Sequence, residues 1–372
     1  MKIGILTFHF ADNYGAVLQA YALQTYIEAL GHDVSIINYR PLYMTNGGCL
    51  RLPRSKRDVY ANATVLFIKI ARLRAALTGK KRDMAFAAFR SKHLKIGELE
   101  YTTLSQLRAE PPNCDAYICG SDQIWNPPAR AGVDAAYYLD FGAKTCRRIS
   151  YAASFGAAVL DEDYKQDIGR LLRRLDAVSV REESGVKLAE SMAGQHALWV
   201  PDPALLLNDY ASVMSEPEDK DYVFSYCLCG NDYIKDVQEF VAKSLRSRVL
   251  LPYSPQQRWA SNGTVVHLGP SEWLGCIKCA RAVVTNSFHG TVFSILFCKP
   301  FITVPLSGRK QGLNERFTSL LTRLGLSSRL LSSAKETHIQ QLMKTQIDWE
   351  DVHRRLRIWQ NEARDYLVHA LR

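Results

Sequence analysis

Several short polar stretches, each placed directly after an apolar run, carry the residue types that chemistry needs. The most informative is Asn286-Ser287-Phe288-His289-Gly290-Thr291. It follows the run Ala282-Val283-Val284 and precedes a second run, Thr291 to Cys298, long enough for two turns of helix. The order predicts a buried strand, a tight polar turn and a helix start. In an open α/β sheet, ligands bind outside the carboxyl ends of the strands. A helix start there offers unpaired N–H groups and a positive dipole end to phosphate or carboxylate. Ser287, His289 and Gly290 are the types such an anion site needs, and His289 is suited to hold an anion or move a proton near neutral pH. The competing reading is that His289 only caps the helix.

The same arrangement recurs along the chain. Ala177 to Val180 ends at Arg181-Glu182, and an arginine at a strand end can grip a carboxylate or phosphate through two parallel bonds. Its alternative is a surface arginine paired with Glu182 or Glu183. Ala116 to Cys119 leads into Gly120-Ser121-Asp122-Gln123, which places Ser121, Asp122 and Gln123 at the sheet's carboxyl edge. Asp122 there is a general base, a ligand of sugar hydroxyls, or a helix cap. Ile3 to Thr7 runs into a polar turn with Asp12, Asn13 and Gly15, either a sugar or phosphate site or a plain capping turn. Arg316 opens a helix after Gly312-Leu-Asn314-Glu.

The elements that must position these residues alternate between strand and helix. Ala16, Ala20, Leu23, Ile27 and Leu30 mark the helix after the first strand, and Gly31 stops it. This strand-helix-strand opening predicts a doubly wound domain. It is not a dinucleotide site, because Gly-x-Gly-x-x-Gly is missing. A chain of 372 residues predicts two such domains. Val200-Pro-Asp-Pro203 breaks the pattern, and the polar stretch Asn208 to Asp221 reads as the linker. A tail helix shows Val352, Leu356, Trp359, Ala363, Tyr366 and Ala370 on one face.

Bulk properties narrow the class. The formal charge of +10 fits anionic partners. Nine cysteines scattered through apolar runs point to a reducing compartment, and Cys276/Cys279 and Cys227/Cys229 read as buried thiols, not as zinc ligands, so no metal is expected. The first residues turn polar too soon for a signal peptide, and no apolar run is long enough to span a membrane. Residues 51–82 stand apart, with ten Lys/Arg against the single acid Asp58, and with Leu66, Ile70, Leu73 and Leu77 at helical spacing beside Phe67 and Ile68. This is either a helix that docks on a membrane surface or one packed on its domain with a solvated basic face. A nucleic-acid partner is not expected, since the cations lack aromatic interleaving.

Taken in order, Asn13-Tyr-Gly-Ala-Val-Leu-Gln-Ala-Tyr, Gly120-Ser-Asp-Gln-Ile-Trp-Asn, Ser179-Val-Arg-Glu, Asp202-Pro-Ala-Leu-Leu, Asn286-Ser-Phe-His-Gly-Thr with Lys299-Pro-Phe, and Asn314-Glu-Arg resemble the polysaccharide pyruvyl transferases. The resemblance implies a GT-B-like architecture: two Rossmann-like, doubly wound α/β domains facing a central cleft. Residues 1–205 would form the acceptor side with the basic insertion 51–82, residues 206–345 the donor side, and residues 346–372 a closing helix returning to the first domain. It implies transfer of pyruvate, as a ketal, from phosphoenolpyruvate to a hexose of a cell-surface polysaccharide or its lipid-linked precursor, with no cofactor. Arg181 and His289 would face each other and hold the donor, joined by Ser287, Gly290 and Arg316. His289, Arg181 and Asp122 would be catalytic, and Asp12, Asn13, Gly15, Ser121, Asp122 and Gln123 would meet the acceptor. The expected location is cytoplasmic, peripheral at the inner face of the membrane. The alternatives are a GT-B glycosyltransferase using a nucleotide sugar and a non-catalytic carbohydrate-binding protein.

Overall fold

A computed structural model of the chain describes residues 1–45, 79–128, 132–228, 232–254, 262–333 and 335–372, with six further positions between 59 and 70. The strands are β1 (Lys2–Leu6), β2 (Asp33–Ile36), β3 (Ala116–Cys119), β4 (Arg147–Ser150), β5 (Val178–Val180), β6 (Ala197–Trp199), β7 (Tyr222–Tyr226), β8 (Arg248–Pro252), β9 (Thr264–Val266), β10 (Ala282–Thr285) and β11 (Phe301–Thr303). They build one parallel sheet in the order β2-β1-β3-β4 and a second in the order β11-β10-β7-β8-β9. The pair β5-β6 continues the first sheet through a bridge between Ile149 and Ala177. Strands β3, β7 and β10 are buried along their whole length, which is why they read as unbroken runs instead of alternating patterns.

Both sheets are doubly wound. The chain leaves β1 toward β2 and then crosses back to β3; in the second sheet it leaves β7 toward β8 and β9 and crosses back to β10. The order therefore reverses between β1 and β3 and between β7 and β10. A crevice opens at the carboxyl ends of such a reversal because successive connections depart to opposite faces. The two crevices meet at the helix Tyr14–Ala29. Tyr14 stacks on Trp273 with ring centroids 5.0 Å apart, and its hydroxyl donates to the Leu268 carbonyl at 3.0 Å.

The helix Trp349–Ala370 lies along the first sheet's elements. Trp359 Nε1 donates to the Trp199 carbonyl, Tyr366 Oη to the Ser150 carbonyl, and Gln360 Nε2 to the Leu205 carbonyl.

Three expectations change. The helix expected from Thr291 starts at Phe288, because Ser287 accepts from the Gly290 N–H and caps it, so His289 and Gly290 sit inside the first turn. The break at Val200-Pro-Asp-Pro203 is packed: Val200, Asp202, Ala204, Leu205 and Leu206 are all buried. Arg82 is not part of a solvated basic face. Its guanidinium bonds the Asp12 carbonyl and lies 4.6 Å over the Phe86 ring. Of the apolar row in the basic segment, Leu66 and Ile70 are helical and exposed. Phe67, Ile68, Leu73 and Leu77 lie outside the described residues, as do Arg51, Arg54, Lys56, Arg57, Asp58, Lys69, Arg72 and Arg74. Among the described residues, no helix is long and apolar enough to cross a membrane.

Candidate functional site

Arg181 and His289, from different sheets, meet at one carboxylate. Arg181 follows β5, with its backbone held by bonds from Arg181 N to the Ala153 carbonyl and from Trp199 Nε1 to the Arg181 carbonyl. His289 follows β10. Both are buried, and both reach Asp202 Oδ2, Arg181 Nη1 at 3.0 Å and His289 Nε2 at 3.5 Å. The same oxygen accepts from Ser121 Oγ at 2.9 Å, and Oδ1 accepts from the Ala204 N–H at 3.0 Å. Burial alone would push the Asp202 carboxyl up. The charges of His289 and Arg181 and the Ala204 N–H outweigh it and hold the group well below the usual carboxylate range.

Arg181 is gripped on its other edge too. Its Nε donates to Glu182 Oε1 at 3.0 Å, and Glu182 in turn accepts from Ser154 Oγ at 2.8 Å. Asp122 Oδ1 lies 3.9 Å from Nη1. Burial works against the guanidinium charge, but Glu182, Asp202 and Asp122 more than restore it, so its pKa is raised. The pairing with Glu182 was foreseen as the surface alternative; in the structure both partners are buried. One nitrogen, Nη2, is buried without a hydrogen-bond partner.

Arg316 comes in from the second sheet's side. It sits in the first turn of the helix Glu315–Arg323. The loop before it is fixed by Asn314, whose side chain accepts from the Leu306 N–H and donates to the Leu306 carbonyl, both at 2.8 Å. The two arginines approach one ring, with Arg181 Cζ 4.4 Å and Arg316 Cζ 5.8 Å from the centroid of Phe288. Among the described residues Arg316 has no ion-pair partner; its Nε donates to the Leu313 carbonyl. Burial, and then the like charge of Arg181, lower its pKa to about 10.

Gly15 forms the seat of His289. A Cβ at Gly15 would lie 1.9 Å from His289 Nδ1, so the ring rests on the bare backbone of the first helix. Gly15 is thus placed directly against the histidine. Other expected acceptor residues are also engaged. Asp12 pairs with Arg90 at 2.8 Å, Asn13 caps the first helix through the Ala16 N–H, and Ser121 is fully buried against Asp202. Gln123 Oε1 accepts from Asn126 Nδ2, and the Gln123 N–H donates to Asp122 Oδ1. Asp122 adopts φ of +71°, a left-handed conformation uncommon outside glycine, and keeps a partly exposed carboxylate. On the donor side, Ser287 and Gly290 are bonded to each other, and a Cβ on Gly290 would strike Thr285 Oγ1 at 2.4 Å. Both shape the turn.

Asp202 and Phe288 are the residues that side-chain chemistry alone did not single out. A signal existed for Asp202: one acid between Val200-Pro201 and Pro203-Ala-Leu-Leu206 is a charge inside an apolar stretch. A buried charge requires a partner.

A search of the curated proteins gave no match. Solved structures to which the chain is similar include UDP-GlcNAc 2-epimerase from Methanocaldococcus jannaschii, at 10% identity over 94% of this chain and 93% of that one, with a TM-score of 0.46. The glycotransferase of kitacinnamycin is 12% identical over 100% and 99% of the two chains, with a TM-score of 0.48. The spinosyn rhamnosyltransferase SpnG is 12% identical over 100% and 99%, with a TM-score of 0.44. At these TM-scores nothing about the site is taken from them. The family model for polysaccharide pyruvyl transferase matches residues 13–308, which include Gly15, Ser121, Asp122, Arg181, Asp202 and His289. By that match, the chain belongs to the polysaccharide pyruvyl transferase family.

Proposed function

We propose that this protein transfers pyruvate from phosphoenolpyruvate to two hydroxyls of a hexose, forming a ketal. The observation that carries the reading is the convergence of two buried arginines, one of them without a carboxylate partner among the described residues, beside a histidine that is held in place. A buried cation of this kind calls for an anion. Phosphoenolpyruvate brings a carboxylate and a phosphate on one small frame. Arg316 and Arg181 Nη2 take its anionic groups.

In the reaction a sugar hydroxyl oxygen bonds to C2 while a proton goes to the methylene carbon, C3, which becomes a methyl group. The C2–O bond to phosphate then breaks, and phosphate leaves with the electron pair. The second hydroxyl oxygen closes the ketal at C2, and its proton returns to the deprotonated His289. His289, seated on Gly15 and with its Nε2 left without a hydrogen-bond partner among the described residues, 3.5 Å from Asp202 Oδ2, donates the Nε2 proton to C3. Of the three carboxylates around Arg181, Asp122 has a side chain 17% exposed, against 5% for Glu182 and 0% for Asp202. Asp122 is therefore the carboxylate that accepts the hydroxyl proton. Preset charges aimed at the departing phosphate stabilise the transition state because they need no reorganisation.

The test is incubation with phosphoenolpyruvate and a panel of lipid-linked or aryl hexosides, read by mass spectrometry for a pyruvate adduct and by phosphate release. Wild-type protein is expected to give both signals. His289→Asn should lower turnover on the order of 10²-fold or more, and Arg316→Gln should raise the KM for phosphoenolpyruvate. Turnover of a nucleotide sugar without any use of phosphoenolpyruvate would overturn the reading.

A further inference from the structure

Asp12 lies in the turn between β1 and the helix Tyr14–Ala29, three residues before Gly15. One helix, Lys80–His93, holds it twice. Arg82 Nη2 donates to the Asp12 carbonyl, and Arg90 Nη1 donates to Asp12 Oδ1 at 2.8 Å. Arg82, Phe86 and Arg90 follow an i, i+4, i+8 spacing, which puts them on one face. Phe86 is fully buried beside both guanidinium groups, with Arg82 Cζ 4.6 Å and Arg90 Cζ 6.0 Å from its ring centroid. The Tyr14 ring lies 5.0 Å from the Phe86 ring. The backbone and side chain of Asp12, and the first residue of the helix that follows, thus meet the same face.

That helix is itself braced against both sheets' elements. At its end, Gln24 Nε2 from the first helix donates to the His93 carbonyl at 3.2 Å, and Gln24 Oε1 accepts from the Lys95 N–H at 2.8 Å. Nearer its start, Ala85 packs where the helix Pro270–Cys279 begins: a Cβ added to Gly269 would lie 2.6 Å from the Ala85 Cβ. The braces matter because Gly15 and His289 belong to different sheets. A ring that rests on a bare backbone keeps its place only while that backbone does.

We propose that Asp12 is a positioning residue: held by Arg82 and Arg90, it fixes the first turn of the helix Tyr14–Ala29 so that Gly15 seats the His289 ring. The competing role is the one its place in the turn suggests, a contact to acceptor hydroxyls through a side chain 32% exposed. The bonds favour positioning. Arg90 already takes one carboxylate oxygen, and a sugar contact gives no reason for a second arginine to hold the carbonyl of the same residue. The effect on rate rests on the ketal-transferase reading, in which His289 moves the proton; the effect on the ring does not. Displacing a reacting group by about 1 Å can cost on the order of 10²-fold in rate. Losing one of the two bonds loosens the turn without freeing it, so the loss is about tenfold, and it falls on kcat because a positioning residue touches neither substrate.

The experiment pairs steady-state kinetics on phosphoenolpyruvate and a hexoside with proton–carbon NMR of the histidine Cε1–H groups. The His289 signal is assigned by its loss in His289→Asn. Asp12→Ala and Arg90→Gln should each lower kcat about tenfold, keep both KM values within about twofold, and shift the His289 signal in a protein folded by circular dichroism. The double variant should lose no more than either single one, because both remove the same bond. Arg90→Lys should stay within about threefold of wild type, since this contact uses one nitrogen and the charge, not the fork. Lys95→Gln, which removes an exposed pair with Glu28 just beyond the same helix, is the control and should behave as wild type. A tenfold rise in acceptor KM at unchanged kcat and unchanged signal overturns the proposal in favour of a sugar contact. Wild-type kinetics with an unshifted signal overturns it outright. If wild-type protein does not use phosphoenolpyruvate, the ketal reading fails, and the His289 signal still decides: shifted in both single variants, positioning stands; unshifted, it is overturned.

Discussion

Gly15→Ala is the perturbation whose outcome the geometry specifies most closely. The added methyl carbon would lie 1.9, 2.3 and 2.6 Å from His289 Nδ1, Cγ and Cε1. Ordinary contact between heavy atoms needs about 3.5 Å, so ring and methyl must separate by roughly 1.5 Å. The ring cannot swing away freely. It is buried, with Asp202 Oδ2 3.5 Å from Nε2 and the Phe288 ring 5.3 Å away between centroids. The first helix cannot retreat easily either, because Tyr14 is stacked on Trp273 and bonded to the Leu268 carbonyl. Misplacing a catalytic group by about 1 Å can cost on the order of 10²-fold in rate, or about 2.7 kcal/mol of barrier. Stability should respond differently. Alanine is the better helix former by up to about 1 kcal/mol, which offsets part of the strain. The expected result is a turnover loss of about 10²-fold in a protein that is folded by circular dichroism, with a KM for phosphoenolpyruvate changed far less because Arg316 is not moved. Turnover of Gly15→Ala within threefold of wild type would refute the seat, or the assignment of His289 to the proton step.

Two further outcomes follow from the buried charges. Asp202→Asn removes the carboxylate that Arg181 shares with His289 and leaves a buried guanidinium with one partner fewer; urea unfolding should show a loss of about 3–5 kcal/mol, and a loss under 1 kcal/mol would mean that Glu182 alone holds Arg181. His9 is fully buried, and burial lowers its pKa to about 4 from 6.5, so the folded protein binds fewer protons there than the unfolded chain as pH falls below 6.5. Its contribution to stability is present above pH 6.5 and lost progressively toward pH 4, amounting to about 3 kcal/mol. Urea unfolding of wild type and His9→Gln from pH 7 to pH 4 checks this, and an equal slope in both proteins would assign the acid sensitivity elsewhere.

Much of this architecture was legible because each central strand is buried on both faces. Ala116 to Cys119 and Ala282 to Val284 announce themselves as apolar runs, and polar residues follow at their carboxyl ends. What single residues could not show is who already has a partner. Ser121 and Asn13 carry side chains that could meet a sugar, yet one is consumed by Asp202 and the other by the first helix's own N–H groups. Those bonds depend on elements about 80 residues apart or on a helix's exact start, neither of which periodicity fixes. In the sequence Gly15 reads as one member of a polar turn. Its role comes instead from the missing Cβ and from a ring more than 270 residues away.

The same distinction separates the two arginines. Arg181 resembles the ligand-binding group from its strand-end position, but three carboxylates lie within 4 Å of it and two accept hydrogen bonds. Its charge is therefore balanced by the protein, and most of its fork is spent on holding Asp202 and Glu182. Arg316 is less conspicuous in sequence, since it follows a glutamate on an amphipathic helix. In the fold Arg316 is buried, and the largest charge effect on it is the like charge of Arg181. Burial disfavours the Arg316 charge, and Glu182, Asp122 and Asp202 offset that cost only in part. In the proposed reaction a dianionic or trianionic donor would complete that offset on binding, so part of the binding energy is set aside when the chain folds. In that proposed reaction Arg181 serves chiefly to fix the geometry around the reacting carbon, and Arg316 to draw the anion in toward the Phe288 ring.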